Sequence, residues 1–126
     1  MEKRVLVVDD HPAMLGLIAD ALGRTGYTVI TAENGRDGLT AAAEKKPDLV
    51  ILDLSMPLMT GLQVLRALRS KLETELLPVI VLTGKETHAD ALDSWMGGAD
   101  RFLTKPCSIA ELIETIEDIL AAPIHH

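Results

Sequence analysis

Five short strand-like runs recur along this chain: Val5–Val8, Tyr27–Thr31, Leu49–Leu52, Val79–Leu82 and Arg101–Thr104. Two of them, LVIL and VIVL, are uninterrupted and rich in β-branched residues. They lack the alternation of a strand wetted on one face. Strands buried on both faces need helices above and below, and the intervening segments supply them. Leu15, Ile18 and Leu22 form one stripe behind Pro12, a residue suited to a first helical turn. Leu39, Ala42 and Ala43 form a second after Asn34-Gly35. Thr60 with Gln63 reads as a capping box ahead of Val64, Leu65, Leu68 and Leu72. Ala89, Leu92 and Met96 mark a fourth helix. Ser108 with Glu111 is a second capping box, ahead of Ile109, Leu112, Ile113, Ile116 and Leu120. Gly26 and Gly97-Gly98 are expected helix stops. The order is βαβαβαβαβα, an α/β fold in which right-handed crossovers place helices on both faces of a parallel five-stranded sheet.

Length and charge narrow the possibilities further. A chain of 126 residues is expected to form one domain with a sizeable core. A net charge of −7 argues against gripping nucleic-acid phosphates or anionic membranes. The single Cys107 excludes an internal disulfide and fits a reducing compartment. MEKR is followed by four apolar residues and then two charges, which is no signal peptide. No stretch approaches the ~18 apolar residues of a membrane span. A cytoplasmic protein is expected. His125-His126 reads as the stub of a purification tag.

In parallel sheets, ligands bind at the carboxyl ends of the strands. Here strand one ends in Asp9-Asp10, strand three in Asp53, strand four in Thr83 and strand five in Lys105. Each has an ordinary explanation when taken singly. Asp10 would cap a helix, Asp53 would start a turn, Thr83-Gly84 would open a loop, and Lys105 would be a solvated charge. Those explanations do not account for all of them meeting at one rim. Neighbouring strands lie about 4.8 Å apart, so the carboxylates of strands one and three must crowd. Two unit charges about 5 Å apart at an effective dielectric of about 20 repel by roughly 3 kcal/mol. A proton or a cation relieves that. Mg²⁺ suits the set, being content with one or two carboxylates, retained waters and a phosphate oxygen. A zinc site is not indicated, because the lone Cys and scattered His residues lack ligand spacing. Lys105 supplies a point charge for phosphate and Thr83 a hydroxyl donor. An Asp can itself be the nucleophile, forming an aspartyl-phosphate. Two acids then hold metal while a third accepts the phosphoryl group.

From Arg4 to about Leu120 the chain resembles the response regulator receiver domains of two-component signalling. The matching pieces are VLVVDD at 5–10, DLVILDLSMPLMTG at 48–61, VIVLTG at 79–84 and GADRFLTKP at 98–106. The resemblance implies a flavodoxin-like (βα)5 fold with strand order 2-1-3-4-5. It implies a receiver domain over residues 1–122 and a tail over 123–126. By position, Asp53 resembles the phosphoacceptor. Asp10 and Asp53 would ligate Mg²⁺ directly, with the Ser55 carbonyl as a third protein ligand and Asp9 acting through water. Thr83 matches the switch hydroxyl, Phe102 the switch aromatic and Lys105 the phosphate-pairing lysine. The Lys105–Pro106 bond would be cis.

The implied function is a phosphorylation-activated switch. It takes its phosphoryl group from a histidine kinase or phosphotransfer protein and reshapes the face formed by the fourth helix, fifth strand and last helix. At most, such a domain catalyses its own phosphorylation and dephosphorylation. Phosphorylation-dependent dimerisation is compatible with that role. Whether the domain stands alone or belongs to a longer protein stays open, as do the cognate kinase and the output.

Several positions depart from the commonest pattern. Phe102 lacks the phenol of a Tyr, and Cys107 follows Lys-Pro where a larger apolar residue is frequent. A buried, inert thiol is expected there. Gly84 leaves room beside the acceptor, and Ser55 and Lys85 hold positions that influence phosphoryl lifetime in this family. His11 reads as a first-turn polar residue, because an Asp nucleophile needs no base. Met14, Met56, Met59 and Met96 read as loop and core packing. Trp95 lies beside the fourth helical stripe, as core edge or output surface.

Three rival functions fit the sequence less well. An aspartate-nucleophile phosphohydrolase would carry a second Asp two residues after the first, where this chain has Ser55, and has little room here for a cap. A flavodoxin-like electron carrier would need a Ser/Thr/Gly-rich phosphate loop and aromatics. This chain has DDHPA and 2% aromatic residues. A receiver-like interaction module that is never phosphorylated would not need the intact acceptor, metal and lysine positions.

Overall fold

The computed structural model describes residues 2–54, 61–84, 98–105 and 107–121. Five parallel strands, β1 (Arg4–Val8), β2 (Thr28–Ala32), β3 (Leu49–Asp53), β4 (Val79–Thr83) and β5 (Arg101–Thr104), form one sheet in the order β2-β1-β3-β4-β5. Among the described residues the helices are α1 (Pro12–Thr25), α2 (Gly35–Lys45), α3 (Gly61–Arg69) and a C-terminal helix (Ile109–Ala121). The flavodoxin-like α/β fold and its strand order are as the sequence led one to expect.

The uninterrupted apolar runs explain the layering. Side chains alternate across a strand, so each central strand feeds two cores at once. Val5 and Val7, Leu49 and Ile51, and Ile80 and Leu82 pack with Leu15, Ile18 and Leu22 of α1 and with Leu112 and Ile116 of the C-terminal helix. Leu6 and Val8, Val50 and Leu52, and Val79 and Val81 pack on the other face with Ala42 of α2 and Val64, Leu65 and Leu68 of α3. Each fully buried Leu, Ile or Val contributes on the order of 1.5–3 kcal/mol.

Local signals set most helix ends. Pro12 opens α1, and Gly26 closes it with φ 109°, where a Cβ would be strained. Asn34 caps α2 through its side-chain oxygen, which accepts from the Asp37 amide at 2.8 Å. Ser108 Oγ accepts from the Glu111 amide at 3.0 Å, the forward half of the expected capping box.

Two expectations need correction. The stripe through Leu68 does not continue to Leu72, because α3 ends at Arg69 and Leu72 is 84% exposed. The Leu68 carbonyl instead accepts from the Thr74 hydroxyl. The Arg69 guanidinium donates to the carbonyls of Leu77 and Gly98, which turns the chain toward β4. Met14 is not core, since it is 38% exposed on α1. The N-cap position of α1 is held by His11, so capping does not account for Asp10, in line with setting that ordinary explanation aside. Thr60, the fourth helical segment with Ala89, Leu92, Trp95 and Met96, Gly97, and the Lys105–Pro106 bond lie outside the described residues. So do Ser55, Met56, Met59, Lys85 and the tail from residue 122.

Candidate functional site

At the carboxyl edge of the sheet the ladder continues just past β1, β3 and β5, and those extra bonds hold the polar residues in place. The Asp9 amide donates to the Ala32 carbonyl at 3.1 Å, beyond the end of β1. The Leu54 amide donates to the Leu82 carbonyl at 3.0 Å, directly after Asp53. The Lys105 amide donates to the Thr83 carbonyl at 2.6 Å. Backbone pairing on both sides thereby fixes the acidic and basic groups to a rigid edge.

Asp9 and Asp53 are each only 1% exposed, although both are carboxylates. Lys105 Nζ lies 3.0 Å from Asp53 Oδ1, as a charge-assisted hydrogen bond from a cation that keeps partial contact with water. Asp9 Oδ1 accepts from the His11 amide at 2.9 Å. Its other oxygen is buried with no hydrogen-bond partner among the described residues. Asp9, Asp10, His11 and Asp53 each place a donor atom within 4.8 Å of the others, a spacing compatible with one bound cation. At that spacing, each like-charged pair repels by about 3 kcal/mol at an effective dielectric of about 20. The site therefore favours an added positive charge.

Of the residues singled out in the sequence, Asp9, Asp10, Asp53 and Lys105 converge. Thr83 is 2% exposed at the end of β4. In the β4–β5 register Phe102 pairs with Val81, two residues before Thr83, so Thr83 and Phe102 share one face of the sheet. Phe102 is half-buried against the core that includes α3. Ser55 lies outside the described residues.

One member of the cluster was not expected. His11 turns Nδ1 to 3.2 Å from Asp9 Oδ1, 3.1 Å from Asp10 Oδ1 and 4.0 Å from Asp53 Oδ2. The signal was a histidine in an N-cap position, directly after two acids.

Beside Lys105 and Gly84 a groove of about 560 Å³ runs between α1 and the C-terminal helix, past Met14, Leu17, Cys107 and Ile109. Cys107 is half-buried rather than buried as expected, and burial, and then Glu111, push its thiol above its ordinary range.

Gly61, the first residue of α3, lies close against the backbone of Asp53 and Leu54. A Cβ there would lie 2.7 Å from the Asp53 carbonyl oxygen and 2.8 Å from Leu54 Cα, both backbone atoms that cannot rotate away. Gly61→Ala should therefore cost about 1–3 kcal/mol. Gly23→Ala, where a Cβ meets nothing within 4 Å on α1, should instead stabilise by roughly 0.5–1 kcal/mol. Thermal melts of the two variants check the contrast. Equal shifts would mean the backbone at Asp53 has slack.

Comparison with known proteins accords with the geometry. The Response regulator receiver domain family matches residues 5–117. Protein PilH of Pseudomonas aeruginosa is 39% identical over 118 residues, covering 94% of this chain and 98% of PilH. The transcriptional regulatory protein KdpE of Mycobacterium tuberculosis is 44% identical over 109 residues, covering 86% of this chain and 47% of KdpE. The chain thus spans nearly all of some relatives and about half the length of others. Among solved structures, the chemotaxis protein CheY4 of Vibrio cholerae superposes with a TM-score of 0.87 at 30% identity, covering 94% of this chain and 99% of that one. With the family match spanning all five strands and the acidic edge between them, this chain belongs to the response regulator receiver domains of two-component systems.

Proposed function

We propose that the chain is a phosphorylation-activated signalling switch that accepts one phosphoryl group on Asp53. The observation that carries this reading is the 3.0 Å pair between Lys105 Nζ and Asp53 Oδ1 at the floor of the carboxylate cluster. A buried carboxylate held by a lysine and faced by two further acids can attack phosphorus while that lysine passes to a phosphoryl oxygen.

The donor set fits Mg²⁺: hard carboxylate oxygens on a rigid edge, with Asp9 Oδ2 buried and without a hydrogen-bond partner among the described residues. Asp10 and Asp53 would hold the ion directly, with the Ser55 carbonyl, and Asp9 through water. When bound, it supplies charge neutralisation and alignment of the phosphoryl oxygens. In the transfer an Asp53 oxygen attacks phosphorus, and a P–O bond forms. The bond to the donor breaks, and the donor's leaving group keeps the electron pair. Lys105 shifts its ion pair to a phosphoryl oxygen, and the Thr83 hydroxyl donates to another. Moving Thr83 opens space toward which Phe102 can turn, so the fifth strand with its flanking helices changes shape.

The phosphodonor is a histidine kinase or phosphotransfer protein, and the domain occupies residues 1–122 with 123–126 as tail. Among the described residues no helix is long and apolar enough to cross a membrane. That accords with the cytoplasmic setting in which such a donor works.

The test uses a small acyl-phosphate donor with and without Mg²⁺, read by intact mass and by fluorescence of Trp95, the chain's one tryptophan. One phosphoryl group per chain, dependent on metal and mapped to Asp53, is expected together with a fluorescence change. Thr83→Ala should accept phosphate yet show a smaller change. A wild-type response from Thr83→Ala would remove the hydroxyl from the switch, and absence of labelling would remove the function.

A further inference from the structure

We infer that His11 is a nitrogen donor to the bound cation, so that this site takes transition-metal dications such as Mn²⁺ and Co²⁺ in preference to Mg²⁺. The inference rests on the cation site proposed above and concerns which ion that site selects.

His11 sits in the N-cap position of α1, yet its side chain makes no capping hydrogen bond. Histidine is also not among the residues that serve well there. The extended backbone of His11, at φ −98° and ψ 106°, is held by the bond from its amide to Asp9 Oδ1. The ring is thereby turned back over the acidic edge, while the residue stays 64% exposed at its side chain.

The distances have the pattern of a coordination sphere. Donors about 2.1 Å from an octahedral metal lie about 3.0 Å apart when adjacent and about 4.2 Å apart when opposite. From His11 Nδ1 the separations are 3.1 Å to Asp10 Oδ1, 3.2 Å to Asp9 Oδ1 and 4.0 Å to Asp53 Oδ2. The Asp10 and Asp53 separations match one adjacent and one opposite position, while the 3.2 Å contact to Asp9, which acts through water, is a hydrogen bond that the ring exchanges for the metal. Independently, Asp9 is 1% exposed, and its Oδ2 has no hydrogen-bond partner among the described residues. A buried carboxylate oxygen in that condition calls for a cation.

An imidazole nitrogen changes which ion is preferred. Carboxylates and water suit Mg²⁺ and Mn²⁺, whereas imidazole adds most for the later first-row metals, along the rising series from Mn²⁺. Mg²⁺ gains little, because it keeps oxygen ligands and waters. The competing role for His11 is a plain hydrogen-bond partner of the carboxylates. That role carries the opposite signature: removing the ring would free the acids and tighten every cation alike.

The experiment is calorimetric titration of the full chain with Mg²⁺, and separately with Co²⁺, in a background where His125→Ala and His126→Ala remove the terminal imidazoles. Wild-type His11 and His11→Ala are compared, with melts confirming that both fold. His11→Ala should weaken Co²⁺ by about tenfold or more and leave Mg²⁺ within about twofold. Pulsed EPR of the Mn²⁺-loaded protein should show imidazole ¹⁴N coupling that His11→Ala abolishes. Equal change for both ions, tighter binding of both, or no Co²⁺ binding overturns the inference. Absence of Mg²⁺ binding alone, with Co²⁺ still dependent on His11, tells against the Mg²⁺ reading and leaves His11 as a ligand.

Discussion

Asp53→Asn should abolish metal-dependent phosphoryl transfer, the largest effect expected of any single substitution in this chain. Asn keeps the size and planar shape of the side chain, so β3 and its pairing with Leu82 in β4 should persist. The amide has no anionic oxygen to attack phosphorus, and among the described residues no other carboxylate replaces it in the same geometry. Asp9 is tied through Oδ1 to the His11 amide, and Asp10 is 23% exposed at its side chain with no Lys105 contact. Among the described residues, only Asp53 combines burial with the lysine at 3.0 Å. Effects on stability should be small by comparison. Neutralising Asp53 relieves repulsion from Asp9 and Asp10 but costs Lys105 its partner, and Lys105 at 26% exposure can turn to water. Intact-mass measurement after treatment with an acyl phosphate and Mg²⁺ gives the answer. Stoichiometric labelling of the Asn variant would move the acceptor elsewhere and dismantle the proposed function.

The architecture was legible because its determinants are local and redundant. LVIL and VIVL have no polar face, and strands of that kind have few homes other than the middle of a sheet with helices on both sides. The acids and the lysine were legible for a related reason. A charge placed directly after a run of buried residues sits at a strand end, and parallel strands all end on one edge. Leu72 misled because it continues the spacing set by Val64, Leu65 and Leu68. What stops α3 is contact at a distance: the Thr74 hydroxyl on the Leu68 carbonyl, and Arg69 reaching Leu77 and Gly98. No periodicity encodes those partners.

The inward turn of His11 has the same origin. Its ring direction follows from the Asp9 side chain accepting its amide, a geometry that spacing alone does not reveal. Gly61 is subtler still, because its importance is the absence of an atom. Only the position of the Asp53 and Leu54 backbone makes that absence matter. The sequence therefore discloses which groups gather at the edge, and the folded chain discloses how closely they are held.

Asp10→Ala should move metal affinity and metal-free stability in opposite directions. Asp10 is the most solvated of the three acids, and its loss leaves the Asp53–Lys105 pair untouched. Without metal, the substitution removes one of three crowded charges. The full repulsion of about 3 kcal/mol per pair is reduced by solvent at this partly exposed position, leaving a gain of about 1–2 kcal/mol. For a domain of this size that raises the melting temperature by roughly 3–8 °C. With metal the same loss is harmful, because a charged oxygen ligand is gone. Mg²⁺ affinity should fall about 100-fold or more, the scale on which ligand charge tunes hard-cation sites. Mg²⁺ should consequently stabilise the wild type and scarcely affect the variant, since the stabilisation by a ligand depends on its concentration relative to Kd. Melts of both proteins with and without Mg²⁺ measure all four states. A metal-free Ala variant that melts well below wild type would show Asp10 to be a packing or anchoring residue, and charge crowding would then not be what prepares this edge for a cation.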